Sequence, residues 1–312
     1  MSDFMRSKTA GLVFIFFLFS SFAFGATADD QEQSDQQIGD FSLSGYADKG
    51  KKSWDLAGKS ADIFTDEVKL KDVNGNLYGK DENVNLTAKT GDFNKASGKV
   101  HLEKDVVITT SKGARLKTDS MDWDRKNQLV TTNDRVNIEK DNINITATGA
   151  HGEPNLKKIA LNKDVQVDIN PTLKAMADPS GLGVKEKTTI TCEGSLEVDY
   201  EKNIATFNKN VKVERPDLTI YSDRMDMYFS AGKEGRKQGE SSQLMGNNKI
   251  DKIVARGNVR IVRGENTSYS EEAVYNAATS KVILSGRPKL VFYSTEGLGG
   301  LENASFGNTG FK

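Results

Sequence analysis

The chain is 312 residues long, enough for two ordinary domains or one elongated array, and too long to depend on disulfides or metals for a core. Its 43 basic and 44 acidic residues leave a formal charge of -1, without the basic surplus that phosphate-backbone binding requires, so nucleic acid is excluded as a partner. Five prolines, two histidines and one cysteine exclude collagen-like, proline-rich and disulfide scaffolds, leave Cys192 without an internal bridge, and offer too little for a zinc or iron centre.

Arg6 and Lys8 precede an uncharged run from Thr9 to Ala28, aliphatic and aromatic from Leu12 to Phe19. This is a charged n-region followed by an apolar h-region, and Ala23-Phe24-Gly25 or Ala26-Thr27-Ala28 fits a signal-peptidase site. The run is also long enough to span a bilayer, so residues 1–28 are a signal peptide or an uncleaved N-terminal anchor. Either reading puts the remainder outside the cytoplasm. Residues 29–40 are polar and read as a spacer.

From Phe41 onward apolar and polar residues alternate, as in Val100/Leu102, Val106/Ile108, Val136/Ile138 and Val165/Val167/Ile169. Turn chemistry punctuates the runs at Thr90-Gly91-Asp92, Ser97-Gly98, Lys112-Gly113, Asp124 to Asn127 and Asp141-Asn142. Asn74-Gly75 is the strongest hairpin signal, because a type I′ turn needs positive φ at both central positions. No helical period exceeds ten residues, so the chain is all-β with more than about half of it in strands. One phrase recurs: "GKVHLEKDVVI", "QLVTTNDRVNI", "KIALNKDVQVDI", "NIATFNKNVKV", "KIVARGNVRIV" and "KVILSGRPKLVF". Each reads as two short strands joined by a polar turn, and since a hairpin cannot bury its own apolar face the copies must stack. Proline and glycine interrupt the pattern between Pro171 and Lys187, which reads as a boundary; Ala231 to Asn248 reads as an inserted loop, and the C-terminal residues as a frayed tail.

The order of phrases carries a resemblance. "GDFSLSGYADKGKKSWDLAGKSADIF" followed by "ARLKTDSMDWDRKNQLVTTNDRVNIEKDNINITATGA" resembles the periplasmic LptC family of lipopolysaccharide export proteins. From Thr188 onward, "VDYEKNIATFNKNVKVERPDLTIYSDRMDMYF" and "IDKIVARGNVRIVRGENTSYSEEAVYNAATSKVILSGRPKL" resemble the LptA (OstA-type) family. The resemblance implies a twisted, partly open β-jellyroll of stacked repeated hairpins, with two modules in tandem: LptC-like over 41–175, a linker over 176–187, LptA/OstA-like over 188–295 and a flexible tail over 296–312. It also implies lipopolysaccharide as cargo, an inner-membrane lipopolysaccharide export ABC transporter complex and an outer-membrane lipopolysaccharide translocon as partners, and other bridge subunits joined by edge-strand addition. The function so implied is non-enzymatic periplasmic transport without cofactor, metal or catalytic residues; the chain has no phosphate loop of its own.

Alternation assigns inward positions, where acyl chains could lie in an apolar groove. In the first module these are Val100, Leu102, Val106, Ile108, Leu116, Met121, Trp123, Leu129, Val136, Ile138 and Ile145. In the second they are Val211, Val213, Leu218, Ile220, Met225, Met227, Phe229, Val259, Ile261, Tyr275, Ile283 and Leu290. The competing reading for any one of them is ordinary closed core. Met225, Met227 and Phe229 are the foremost groove candidates, being large and adaptable. Asp122, Asp124 and Asp226 fall on the outer face, and for Asp122 and Asp124 solvation is a better account than a glycosidase pair. Asp72, Asn74 and Asn76 carry a glycine at the wrong place for a calcium loop. His101 and His151 read as surface or turn residues. The rival function is an extracytoplasmic repeat adhesin or carbohydrate-binding array, which predicts a polar outer face studded with aromatics; Trp54 and Trp123 alone are too few for that platform.

Overall fold

The computed structural model describes residues 34–46, 50–79, 83–124, 126, 127, 129–152, 158–171, 186–199, 201–230, 249–279 and 281–293. The leader, most of the 171–187 interruption, the 231–248 loop and the C-terminal tail lie outside the described residues. The alternating runs form β1 (Gln36–Tyr46), β2 (Lys52–Ile63), β3 (Glu67–Tyr78), β4 (Asn83–Asn94), β5 (Lys99–Thr110), β6 (Arg115–Asp124), β7 (Leu129–Lys140), β8 (Ile143–Gly152) and β9 (Lys158–Ile169). They continue as β10 (Thr188–Cys192), β11 (Leu196–Asp199), β12 (Ile204–Arg215), β13 (Leu218–Ser230), β14 (Lys249–Arg263), β15 (Asn266–Asn276), β16 (Lys281–Ser285) and β17 (Lys289–Val291). No α-helix occurs among the described residues. The first strand starts at Gln36, so the stretch read as a spacer up to residue 40 is partly sheet; Gln36 to Gly39 pair with Ile63 to Ser60 of β2.

All 17 strands belong to one antiparallel sheet in which each strand pairs with its sequence neighbour. β10 and β11 are the two halves of one broken rung, both lying between β9 and β12. β16 and β17 likewise share β15. The pairing thus runs without interruption through the expected inter-module boundary. Among the described residues β1 and β16/β17 pair on one side only, so the described strands do not close into a barrel.

In five of the six repeated phrases the polar triplet is a bulge in a single strand rather than a turn between two; in the sixth it separates β16 from β17, which both pair with β15. Lys104 and Asp105, Lys209 and Asn210, and Gly257 and Asn258 all have positive φ, and the register slips there by an extra residue. The composition matches that of a turn because both need left-handed backbone, which Asn, Asp and Gly adopt at least cost. A bulge bends the strand and lets it run on, so the sheet folds over along the line of bulges. The hairpins are closed instead between successive phrases, as at Gly98 (φ 71) and Gly113 (φ 86). Asn74-Gly75 makes no hairpin: it lies within β3, where Gly75 faces Leu56 on one side and Leu86 on the other. Thr90-Gly91-Asp92 similarly lies within β4.

The inside of the fold line carries a regular size alternation. Val73 faces Ala88, Val106 faces Thr118, Val136 faces Ala147, Val165 faces Cys192, Val211 faces Ser222 and Val259 faces Ser270. Every one of them is buried. Where two half-sheets converge a small side chain stands opposite each valine, which lets the two faces approach closely at the corner.

Candidate functional site

Side chains from both halves of the folded sheet meet in an apolar interior. Ala205 and Phe207, before the β12 bulge, share one core cluster with Val211 and Val213 beyond it. In some strands burial falls with distance from the fold line. In β5, Leu102 and Val106 are buried whereas Val100 and Ile108 at the strand ends are half-buried. β13 shows it towards its C-terminal end, with Met225 and Met227 buried and Phe229 half-buried, whereas Leu218 at its start stays buried. The interior is therefore sealed at the corner and partly accessible at some strand ends, among them those of β5 and the C-terminal end of β13.

The structure buries Leu102, Val106, Met121, Val136, Ile138, Ile145, Val211, Val213, Leu218, Met225, Met227 and Val259 among the expected inward residues. Val100, Ile108, Leu116, Ile220, Phe229 and Ile261 pack half-buried against the same clusters. Trp123 and Tyr275 are half-buried at the rim. Two positions are corrected. Leu129 pairs with outward Asp124 and is 36% exposed; the inward residue is its neighbour Val130, opposite Trp123. Ile283 pairs with Val274 and is 63% exposed, the inward register belonging to Val282 and Leu284. Leu290 keeps the inward register, opposite Ser268, but is exposed because no further rung among the described residues covers it.

The core is grouped differently from the sequence modules. One cluster joins β1 through β6, with Phe41, Val73, Leu102 and Met121 among its members. The other runs from Val136 in β7 to Ala273 in β15 and includes Leu161, Ile190, Leu196 and Phe207 on either side of the 171–187 interruption. Leu116 touches both clusters. The division falls at β6/β7, where Thr118 and Thr132 place buried hydroxyls 3.3 Å apart. Leu161, Ile190, Leu196, Ala205 and Phe207 were missed as inward residues because the proline-bearing stretch suggested a break in the core; the alternation of Ala205, Phe207 and Val211 was the available signal. Lys140 was missed too. It is buried in line with Val136 and Ile138 at the end of β7, which places a cation at the groove rim.

The outer face contains one position that departs from expectation. Asp226 has the outward register but is only 3% exposed. Thr206 Oγ1 donates to its Oδ1 at 2.8 Å, Arg224 Nε donates to the same oxygen at 3.1 Å, and Arg256 Nη1 donates to Oδ2. Arg256 reaches Glu272 with Nε at 3.0 Å, so the chain of charges ties β12, β13, β14 and β15 together. Burial pushes the Asp226 carboxyl up, but the Thr206 and arginine contacts outweigh it and hold the group below the usual carboxylate range. Asp122 is exposed as expected, with His101 Nδ1 at 2.6 Å from its Oδ1. The oxygens of Asn74 and Asn76 accept from Asn85 Nδ2 at 2.8 and 2.9 Å, a cross-strand amide ladder.

A folded-over antiparallel sheet with an apolar interior and two edges left unpaired among the described residues defines a β-jellyroll of stacked hairpins. Residues 9–170 match the family described as lipopolysaccharide-assembly, LptC-related, and residues 194–304 match the LptA/(LptD N-terminal domain) lipopolysaccharide transport family. The chain belongs to the LptC-related family, with an LptA-like segment in tandem. Its role accordingly lies in lipopolysaccharide transport. Among curated individual proteins none matches the chain.

Proposed function

We propose that the chain is a non-enzymatic periplasmic carrier that holds the acyl chains of lipopolysaccharide in its apolar groove and passes them along a bridge between the inner and outer membranes. The observation that carries this reading is the apolar interior of the folded sheet, sealed at the fold line and half-open at strand ends such as Val100, Ile108 and Phe229. Exposing acyl chains to water costs about 0.8 kcal/mol per methylene, so a continuous apolar path removes tens of kcal/mol from the transfer. Graded van der Waals contact without a strong single site allows onward movement. Lys140 at the rim suits the anionic groups that border the acyl chains. Free edges at β1 and β16/β17 suit strand addition by neighbouring subunits, which would cover Ile38 and Leu43 at one end and Val282 and Leu290 at the other. A leader that exports the chain or tethers it to the inner membrane completes the reading, with the membrane transporter supplying the energy.

The test is photo-crosslinking to lipopolysaccharide with the reactive residue at Met121, Trp123, Met225 or Phe229, and at exposed outer-face Asp122 and Asn276 as controls. Adducts at inward positions on both sides of the β6/β7 division, with none at the controls, are expected. Their absence from every inward position of the folded chain would sink the carrier reading.

A further inference from the structure

The outer face of the C-terminal half-sheet holds a row of side chains at one level across the strands. Lys212 faces Tyr221, Tyr221 faces Arg260, Arg260 faces Tyr269 and Tyr269 faces Lys289. Cation and aromatic ring alternate on β12, β13, β14, β15 and β17. The Arg260 guanidinium stacks 4.1 Å from the Tyr221 ring centre, and Lys212 Nζ lies 5.8 Å from it on the neighbouring strand. Lys212 is neutralised by Glu214 at 2.5 Å, whereas Arg260 and Lys289 have no ion-pair partner among the described residues. Tyr269 stands between those two cations, 42% exposed. The next row of the same face is Glu214, Thr219, Val262, Thr267 and Val291, whose one carboxylate, Glu214, is the partner of Lys212.

We propose that this row is a docking track for an extended acidic glycan laid across the strands. Strands lie about 4.8 Å apart, so cations on every second strand recur about every 10 Å. That spacing offers one positive charge per two sugar rings, with a tyrosine between for the apolar face of a ring. The row is one side chain wide, with Glu214 in the next row on one side and the exposed Asp223 and Glu271 two residues along β13 and β15 on the other, which fits a linear ligand held on the row; an anionic membrane surface rewards a broad cluster of cations instead. The track lies on the opposite side of the sheet from the groove, so it is separate from the interior and from whatever the interior carries.

Binding of a hyaluronate octasaccharide, which carries one carboxylate per two rings, to the purified full chain at low salt tests the proposal by calorimetry. A neutral chitin oligosaccharide and phosphatidylglycerol vesicles are the comparison ligands. Hyaluronate binding should weaken about tenfold in Arg260→Glu and in Lys289→Glu, weaken several-fold in Tyr269→Ala, and fall with added salt. Lys281→Glu, the same charge change on the other half-sheet, should leave it unaltered. Lys289 lies on the exposed last rung, so its variant reports even where Arg260→Glu perturbs folding. The proposal is overturned if hyaluronate does not bind, if Lys289→Glu and Tyr269→Ala bind like the parent chain, if the neutral glycan binds equally well, or if only the vesicles respond to these substitutions.

Discussion

At Asp226, a carboxylate that alternation sends to solvent is taken out of it by its neighbours' arginines. Removing it by Asp226→Ala leaves Arg224 and Arg256 facing each other across adjacent strands, and the cost should be about 3 kcal/mol in urea unfolding at neutral pH. Because the folded carboxyl is held below its unfolded value of ~3.9, its contribution is complete above that pH and drains away as pH falls through the folded value. The parent chain should therefore lose more stability on acidification than Asp226→Asn does, and a parallel loss in both would contradict this. His101 has the opposite sign. The Asp122 hydrogen bond, joined by Glu103 and opposed by partial burial, raises its pKa above the ordinary value of 6.5. Whatever stability the pair supplies is present below the unfolded pKa and is lost as pH rises through the folded one. An NMR titration should show His101 above 6.5 and Asp122→Asn moving it back down.

The strand is the element that this sequence bends rather than ends. Gly257 shows what the corner requires, since it has φ +75 and a Cβ there would stand 2.3 Å from Asp223 Oδ2. Gly257→Val meets both the backbone penalty and that collision, and should cost about 2 to 3 kcal/mol in thermal or urea unfolding. Gly50 has φ +69 and nothing within 4 Å of its Cβ position, so Gly50→Val should cost only the backbone part, about 1 kcal/mol. Equal losses at the two sites would mean that the collision is relieved by movement of Asp223.

On the scale of the whole molecule, the continuous core through β9, β10, β11 and β12 makes the two family segments energetically interdependent. A fragment of residues 188–312 loses the β9 partner of Ile190 and Leu196. Its β12 and β13 amides should exchange hydrogen several kcal/mol more readily than in the intact chain, given the apolar area uncovered. Protection equal to that of the intact chain would show that the junction adds nothing.

Strand content and inward faces were legible where alternation is uninterrupted, as from Val100 to Ile108 and from Val211 to Ile220, because burying one face of a strand imposes period two on its sequence. The turns at Gly98 and Gly113 were legible for the same local reason. Phrase order carried the two-family resemblance, which no single phrase could. The sequence by itself thus determined the all-β class, the kinship and those residues of the apolar face that lie in regularly alternating strands. Tertiary structure alone decided that Lys104-Asp105 and Gly257-Asn258 bend a strand instead of closing a hairpin, since left-handed backbone serves either purpose and only the pairing of neighbouring strands distinguishes them. It also decided that the core crosses the 171–187 interruption and divides at β6/β7, and that Asp226 is buried, because which side chains cover a position depends on strands far away in the chain.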